Sequence, residues 1–168
     1  NYVGLDAFSY RVSDGLLESE LVTVQITVLD INDAPEVFDV SVLGTEDKKV
    51  TVVLDGRDEE GNLGNYQIVS LPVHGYLEIG SRQLNKDDYV NASIGEVSYV
   101  GTSNYYGTDM FSYVGIDNQL LRSGTGDVTI TLVSENDAPV GVAESIEVSE
   151  DTEVQVRLLG TDVEGDSL

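Results

Sequence analysis

The chain has 168 residues, 31 of them acidic and 8 basic, for a formal charge of −23. A polyanion of this kind is repelled by nucleic acid and by anionic lipid and attracts cations, which sets aside nucleic acid and the membrane surface as partners. It has no cysteine, which excludes disulfide staples, thiolate metal sites and cysteine nucleophiles, and no apolar run long enough for a membrane-spanning helix. No signal peptide is visible and the chain starts in the middle of a pattern, so it is read as a segment of something longer.

The pattern is a repeat. The opening stretch, residues 1–10 (Asn1-Tyr2-Val3-Gly4 through Phe8-Ser9-Tyr10), matches 104–113 (Asn104-Tyr105-Tyr106-Gly107 through Phe111-Ser112-Tyr113) at an offset of 103 (104 − 1), and Asp14 matches Asp117 at the same offset. From Ile26 and Ile130 onward the offset is 104, so one residue is inserted between Asp117 and Ile130. Ser123-Gly124-Thr125-Gly126 reads as the turn that takes it. Asn32-Asp33-Ala34-Pro35 recurs as Asn136-Asp137-Ala138-Pro139, and Asp58-Glu59-Glu60-Gly61 recurs as Asp162-Val163-Glu164-Gly165. Fixed-period self-similarity marks an array, and a period near 100 residues makes each unit a domain with its own core. The chain therefore divides into the C-terminal part of a first repeat (1–35), one complete repeat (36–139) and the N-terminal part of a third (140–168). Repeat positions 65–103 are absent from both partial repeats, which argues for a segment cut from a longer array over strand donation between chains, with an incomplete complement that still polymerises as the second reading.

Every regular stretch reads as strand. Val22–Val28 and Val128–Leu132 alternate without error, with Val, Ile and Leu on one face and Thr and Gln on the other. Val50–Leu54 and Val154–Leu158 repeat this after each Asn-Asp-Ala-Pro, and Phe8/Tyr10 and Phe111/Tyr113 mark another strand. Tyr66–Val69, Gly75–Ile79 and Glu96–Val100 are shorter candidates. The fold class is all-β: tandem Greek-key β-sandwich domains with about seven strands per repeat.

The chemistry on offer is hard oxygen, which suits calcium. The first junction presents Asp30, Asn32 and Asp33, with Glu46 and Asp47 ending the next strand, Asp58 and Glu60 in the following loop, and Asp14 closing the preceding strand nearby. The second presents Asn136, Asp137, Glu150, Asp151, Asp162, Glu164 and Asp166, with Asp117 from behind. Ser134 stands where the first junction has Asp30, so a smaller or weaker site is expected there. Taken singly, Asn-Asp-Ala-Pro is explained by a turn whose side chains cap their own backbone, and Asp-Glu-Glu-Gly by an acidic hairpin loop. Recurrence of three acidic clusters in register is what favours metal. His74, the single histidine, has no partner for catalysis and sits in a turn-like Pro72-Val73-His74-Gly75. Asn91-Ala92-Ser93 is a glycosylation sequon, relevant only in a eukaryotic source. The recurring tyrosines Tyr2, Tyr10, Tyr105 and Tyr113 are expected to pack rather than to stack on sugar.

The order Val-x-Val, then Asp-x-Asn-Asp-x-Pro, then Glu, then Asp-x-Glu-Gly resembles the calcium-binding junctions of cadherins. It is closer to the cadherin-like and Ig-like repeats of large bacterial RTX-type surface adhesins, which the Tyr-x-Gly-x-Asp-x-Phe-x-Tyr strand, Glu150-Asp151-Thr152 and Pro72–Leu77 also resemble. The resemblance covers the whole chain. It implies cadherin-like or Ig-like sandwiches, Ca2+ at the linkers and a non-enzymatic, extracellular extender of a bacterial adhesin that takes part in cell adhesion and biofilm. Its implied partners are neighbouring repeats, other adhesin chains or surface polysaccharide. Animal cadherins carry a second Asn before Ala-Pro; its absence here points to one or two ions rather than three. Lys48-Lys49 stand where the third repeat has Thr152-Glu153, and weaken a site there unless they turn outward. Other classes that suit the residues are a carbohydrate-binding module using surface tyrosines and a non-catalytic repeat of a large secreted enzyme.

Overall fold

A computed structural model describes residues 2–167. They form strands and loops without helix, so no helix is long and apolar enough to cross a membrane. The chain separates into two compact units, Asn1–Asp33 and Ala34–Leu168.

The first unit is an antiparallel hairpin of β1 (Gly4–Tyr10) and β2 (Val22–Val28), in register from Gly4 opposite Val28 to Tyr10 opposite Val22. At its start the Tyr2 hydroxyl donates to the Leu5 carbonyl (2.5 Å) beside Gly4, whose φ of +138° few side-chain-bearing residues adopt.

In the second unit β3 (Glu36–Val37) pairs with β6 (Gly56–Arg57). The chain then crosses to β4 (Val40–Thr45), returns through β5 (Val50–Val53) and runs on to β7 (Leu63–Ser70). The strands β8 (Gly75–Ile79), β9 (Arg82–Gln83), β10 (Tyr89–Asn91) and β11 (Glu96–Gly101) follow. The long pair β12 (Gly107–Asp117) and β13 (Arg122–Val133) completes the repeat. A five-stranded sheet has the order β10-β7-β12-β13-β4 and a four-stranded sheet β5-β11-β8-β9, giving a β-sandwich. Seven of these strands have four or more residues: β4, β5, β7, β8, β11, β12 and β13. The expectation of an all-β sandwich therefore holds, with eleven strands in the complete repeat where about seven are expected, the four others being two or three residues long.

Alternation builds the core: Val50 and Val52 of β5, Val97 and Tyr99 of β11, Phe111 and Tyr113 of β12, and Val128, Ile130 and Leu132 of β13 are buried, while the residues between those of β5 are exposed. Period two leaves no other choice once one face of each sheet is covered. The Tyr113 hydroxyl lies 2.7 Å from the Phe38 carbonyl and 2.8 Å from that of Asp55, and accepts from Asp55 N at 3.0 Å, fastening both edges of the sandwich to β12.

One strand pairing decides the geometry of the junction. Every named pair is antiparallel except β4 with β13, which run parallel from Val40 beside Val128 to Thr45 beside Val133. Both strands therefore end at the same end of the domain.

The third partial repeat contributes β14 (Val140–Val142) and β15 (Leu159–Thr161), paired antiparallel. At an offset of 104 they reproduce β3 and β6. The expected strand Val154–Leu158 is irregular. Its counterpart β5 pairs only with β11, and in register that partner falls beyond Leu168.

The inserted residue is also placed. Ser123–Gly126 lies inside β13, not in a turn. The turn is Asn118–Leu121, where Leu120 has φ +70°. Leu16-Leu17 and Leu120-Leu121 already stand 104 apart while Asp14 and Asp117 stand 103 apart, so the extra residue falls just after Asp117. Ser-Gly-Thr-Gly reads as a turn by composition, but the bonds of Asp117 close the hairpin earlier. Its Oδ1 accepts from Gln119 N and Leu121 N, both at 2.8 Å.

Candidate metal centre

The loop after β4 starts with Glu46, which is 1% exposed. Its backbone N donates to the Val133 carbonyl (3.0 Å). Its Oε1 accepts from the Ser134 hydroxyl (3.0 Å) and from Glu135 N (2.9 Å), while Oε2 is shut off from solvent with no hydrogen-bond partner. The parallel pairing is the cause: Thr45 sits beside Val133, so the turn after β4 meets the segment that leaves β13. Asp47 follows at φ +57° and accepts from Asn104 N (3.2 Å).

That segment carries Asn136 and Asp137. Asn136 Nδ2 donates to the Asp137 carbonyl (2.9 Å), a bond repeated in the first unit from Asn32 Nδ2 to the Asp33 carbonyl (3.2 Å). Asp137 N donates to Glu164 Oε2 (3.1 Å). The Asp137 side chain is half-buried, and its Oδ2 is closed to solvent and unpartnered. Partial burial first, and then the negative charges of Glu164, Asp47, Glu46 and Asp162, raise its carboxyl above the usual aspartate value.

Asp162 and Glu164 are held by a local device. Asp162 Oδ1 accepts from Glu164 N (3.1 Å) and Asp166 N (3.0 Å), curling the loop on its own carboxylate. Asp58 does the same one period earlier, accepting from Glu60 N (3.0 Å) and Asn62 N (3.2 Å). The other oxygen of Asp58 is buried and unpartnered.

Glu46, Asp47, Asp137, Asp162 and Glu164 thus come from three separate stretches and converge. Among the described residues no three acidic or histidine side chains already stand in a metal-ligating arrangement; the carboxylates stand near each other and repel. The donor set still fits calcium. It is all oxygen, it comes from several loops, and Glu46 Oε2 and Asp137 Oδ2 are buried acceptors that nothing among the described residues satisfies.

Several expected members lie elsewhere. Glu46 and Asp47 lie at the end of the sandwich where β13 leaves, not at the end where the chain enters through Ala34-Pro35, because β4 runs parallel to β13. Asp58 and Glu60 lie at the β6–β7 loop with Asp117, whose neighbour Asn118 donates from its N to the Asn62 carbonyl (3.1 Å). Asp117 is separated from Asn136 by the twelve residues of β13, roughly 40 Å of strand, so it does not reach the second junction from behind. Asp14 likewise lies at the tip of the β1–β2 hairpin, its Oδ1 accepting from Leu16 N (2.8 Å) and Leu17 N (2.7 Å). Those bonds hold its carboxyl below the usual value. The seven residues of β2 separate it from Asp30, Asn32 and Asp33. Glu150 and Asp151 occupy the turn equivalent to Glu46-Asp47, Asp151 with φ +59°, and so correspond to the far end of the third repeat, not to Asn136-Asp137.

The residues that sequence reasoning left out are Glu135 and Ser134 as partners of Glu46. A buried acid is not visible in a sequence, so the pairing had no signal.

Pro72–Gly75 also finds its explanation. Asp109, 4% exposed, accepts from Val73 N (2.9 Å), His74 N (2.8 Å), the Tyr99 hydroxyl (2.9 Å) and Met110 N (2.9 Å). His74 stacks on Tyr105 with ring centroids 4.0 Å apart. Tyr105 in turn donates to the Thr108 carbonyl (2.9 Å), beside Gly107 at φ +129°, as Tyr2 does beside Gly4.

No family model and no curated protein matches the chain. Among solved structures, an endo-fucoidan hydrolase of glycoside hydrolase family 107, the H294Q form of MfFcnA4, aligns over 79% of this chain and 19% of its own, at 19% identity and a TM-score of 0.45. Fibronectin(III)-like modules of Clostridium thermocellum CbhA align over 80% of this chain and 65% of theirs, at 16% identity and a TM-score of 0.40. The sialic acid binding region of a Streptococcus sanguinis SK1 adhesin aligns over 78% and 40%, at 14% identity and a TM-score of 0.43. The chain spans about a fifth of the first of these proteins. The β-sandwich assignment rests on the chain's own two sheets.

Proposed function

We propose that this chain is a non-enzymatic extender segment of a secreted or surface-anchored adhesin, and that calcium at the junction after the complete repeat stiffens it. The observation that carries the reading is the meeting of Glu46, Asp47, Asp137, Asp162 and Glu164, with two buried carboxylate oxygens lacking any partner. Glu46, Asp137 and Glu164 would hold the ion, with Asp47 and Asp162 beside them. A bound divalent cation supplies positive charge that offsets their repulsion. The residues do the remainder: β4 and β13 bring Glu46 to the linker, and the Asp162 loop presents Glu164 to Asp137 N. Because the ligands come from the complete repeat, the linker and the next repeat, their joint use fixes the angle between repeats. The residue types of the linker and of the loop after it recur one period earlier in Asn32, Asp33, Asp58 and Glu60.

Extracellular calcium modules bind at about 10⁻⁴–10⁻³ M, so such a site fills outside a cell and empties inside it. Calorimetric titration of the 168-residue chain with calcium, and small-angle scattering with calcium or chelator, test this. Millimolar binding and a stiffer particle are expected, both reduced in Asp137→Asn. No binding and no change in scattering would refute the proposal.

A further inference from the structure

We infer that Lys48 is a tethered counter-cation of this junction, holding Glu135 against the turn after β4 when no divalent ion is present; the inference rests on the calcium reading only for the competition it describes. The turn carries two adjacent lysines with different fates. Lys49 turns away to pair with Glu78, a buried acid of β8, and that bond raises its ammonium above the ordinary lysine value. Lys48 pairs with Glu135, whose backbone N already donates to Glu46 Oε1. Glu135 is thus fastened to the turn twice, once through its amide and once through its carboxylate.

The charge balance gives this pair a purpose beyond an ordinary surface contact. Lys48 follows Glu46 and Asp47 in the turn, and its partner Glu135 bonds Glu46 Oε1 through its backbone N, while Glu46 Oε2 is buried with no donor among the described residues. An ion held through Glu46 would have the Lys48 charge two residues along the same turn. The third repeat has Thr152 at the corresponding position (48 + 104), so the cation is a feature of the complete repeat, not of the turn as such. Lys48 therefore gives the junction a weakly closed metal-free state and lowers its affinity for calcium.

The test uses the whole chain with calcium chelated, following amide hydrogen exchange at residues 134–137 by mass spectrometry. An exposed ion pair is a modest interaction, so Lys48→Thr is expected to speed exchange about threefold. Lys48→Arg should preserve protection, and 1 M salt should make the wild type resemble Lys48→Thr. Glu135→Gln should reproduce the effect, with nothing further lost in the double variant. In calorimetry Lys48→Thr should bind calcium about threefold more tightly, the loss of one nearby positive charge. Unchanged exchange in Lys48→Thr, or additive effects of the two variants, overturns the inference even if calcium binds. The expected exchange pattern in a chain that takes up no calcium supports the latch and rejects the calcium reading.

Discussion

Two buried acids of the same domain show opposite designs. Asp109 is closed on by four donors: three backbone N–H groups and the Tyr99 hydroxyl. Glu46 takes two donors on one oxygen and none on the other. Burial of a carboxylate is tolerated when hydrogen bonds replace its lost water, and Asp109 meets that condition within its own domain. Its bonds also act outward. Burial first, and then the bond to Asp109, push the Tyr99 phenol above its ordinary value. Glu46 does not meet the condition, since its Oε2 is buried with no hydrogen-bond partner among the described residues. An acid satisfied from within is part of the fold; an acid left half-satisfied at a domain end is the one that we propose an external cation completes.

The sharpest way to break this contrast is to remove each acid. Asp109→Ala strands three backbone donors and a phenol, and should cost about 3 kcal/mol in urea unfolding, equally with calcium and with chelator. A loss confined to calcium buffer would mean that Asp109 belongs to an ion site. Tyr113→Phe keeps the ring and removes the bond to the Phe38 and Asp55 carbonyls. A loss of about 1.5 kcal/mol is expected, again independent of calcium.

Glu46→Gln should behave in the opposite way. With chelator it should melt near the wild type, because the amide keeps an acceptor for Ser134 and Glu135 and one repelling charge is gone. In 5 mM calcium the wild type should gain about 1.4 kcal/mol if the dissociation constant is near 0.5 mM, and the variant should gain almost none. Equal gains in both would place any bound calcium elsewhere.

The smallest effect concerns an acid that resembles neither. Asp88 lies near the surface, where Asn85 N first and Arg82 second hold its carboxyl below the usual aspartate value. A depressed folded-state value means a contribution that is present above the unfolded pKa and lost as pH falls through the folded one. The stability difference between wild type and Asp88→Asn should therefore be constant near neutrality and shrink below about pH 4. A difference that grows in acid would contradict the assigned hydrogen bonds.

Much of this was legible in the residues, and for local reasons. The strand alternation of Val128–Leu132 follows from period two and needs no tertiary knowledge. The Asp58 and Asp162 loops are equally local, since each carboxylate bonds backbone N–H groups two and four residues on. The hairpin tips were less legible. Asp14 and Asp117 look like ligands in sequence but spend their carboxylates on their own turns, and a Ser-Gly-Thr-Gly stretch that suits a turn is drawn into β13. The strand proposed at Val154–Leu158 failed because alternation names a face to bury without supplying the neighbouring strand.

By itself the sequence determined the period of the array, the all-β class, most of the longer strands of the complete repeat and the composition of each acidic loop, because these depend on spacing along the chain; the short strands β3, β6, β9 and β10 carried no such signal. Which loops meet was decided only in three dimensions. The parallel pairing of β4 with β13 sends Glu46 and Asp47 to the linker that leaves the domain, where reading along the chain had joined them to the linker that enters it. Pairing direction is a property of two strands some ninety residues apart, and no local pattern encodes it. The same pairing buries Glu46 against Ser134 and Glu135, and so turns one acid among 31 into the acceptor around which the junction is arranged.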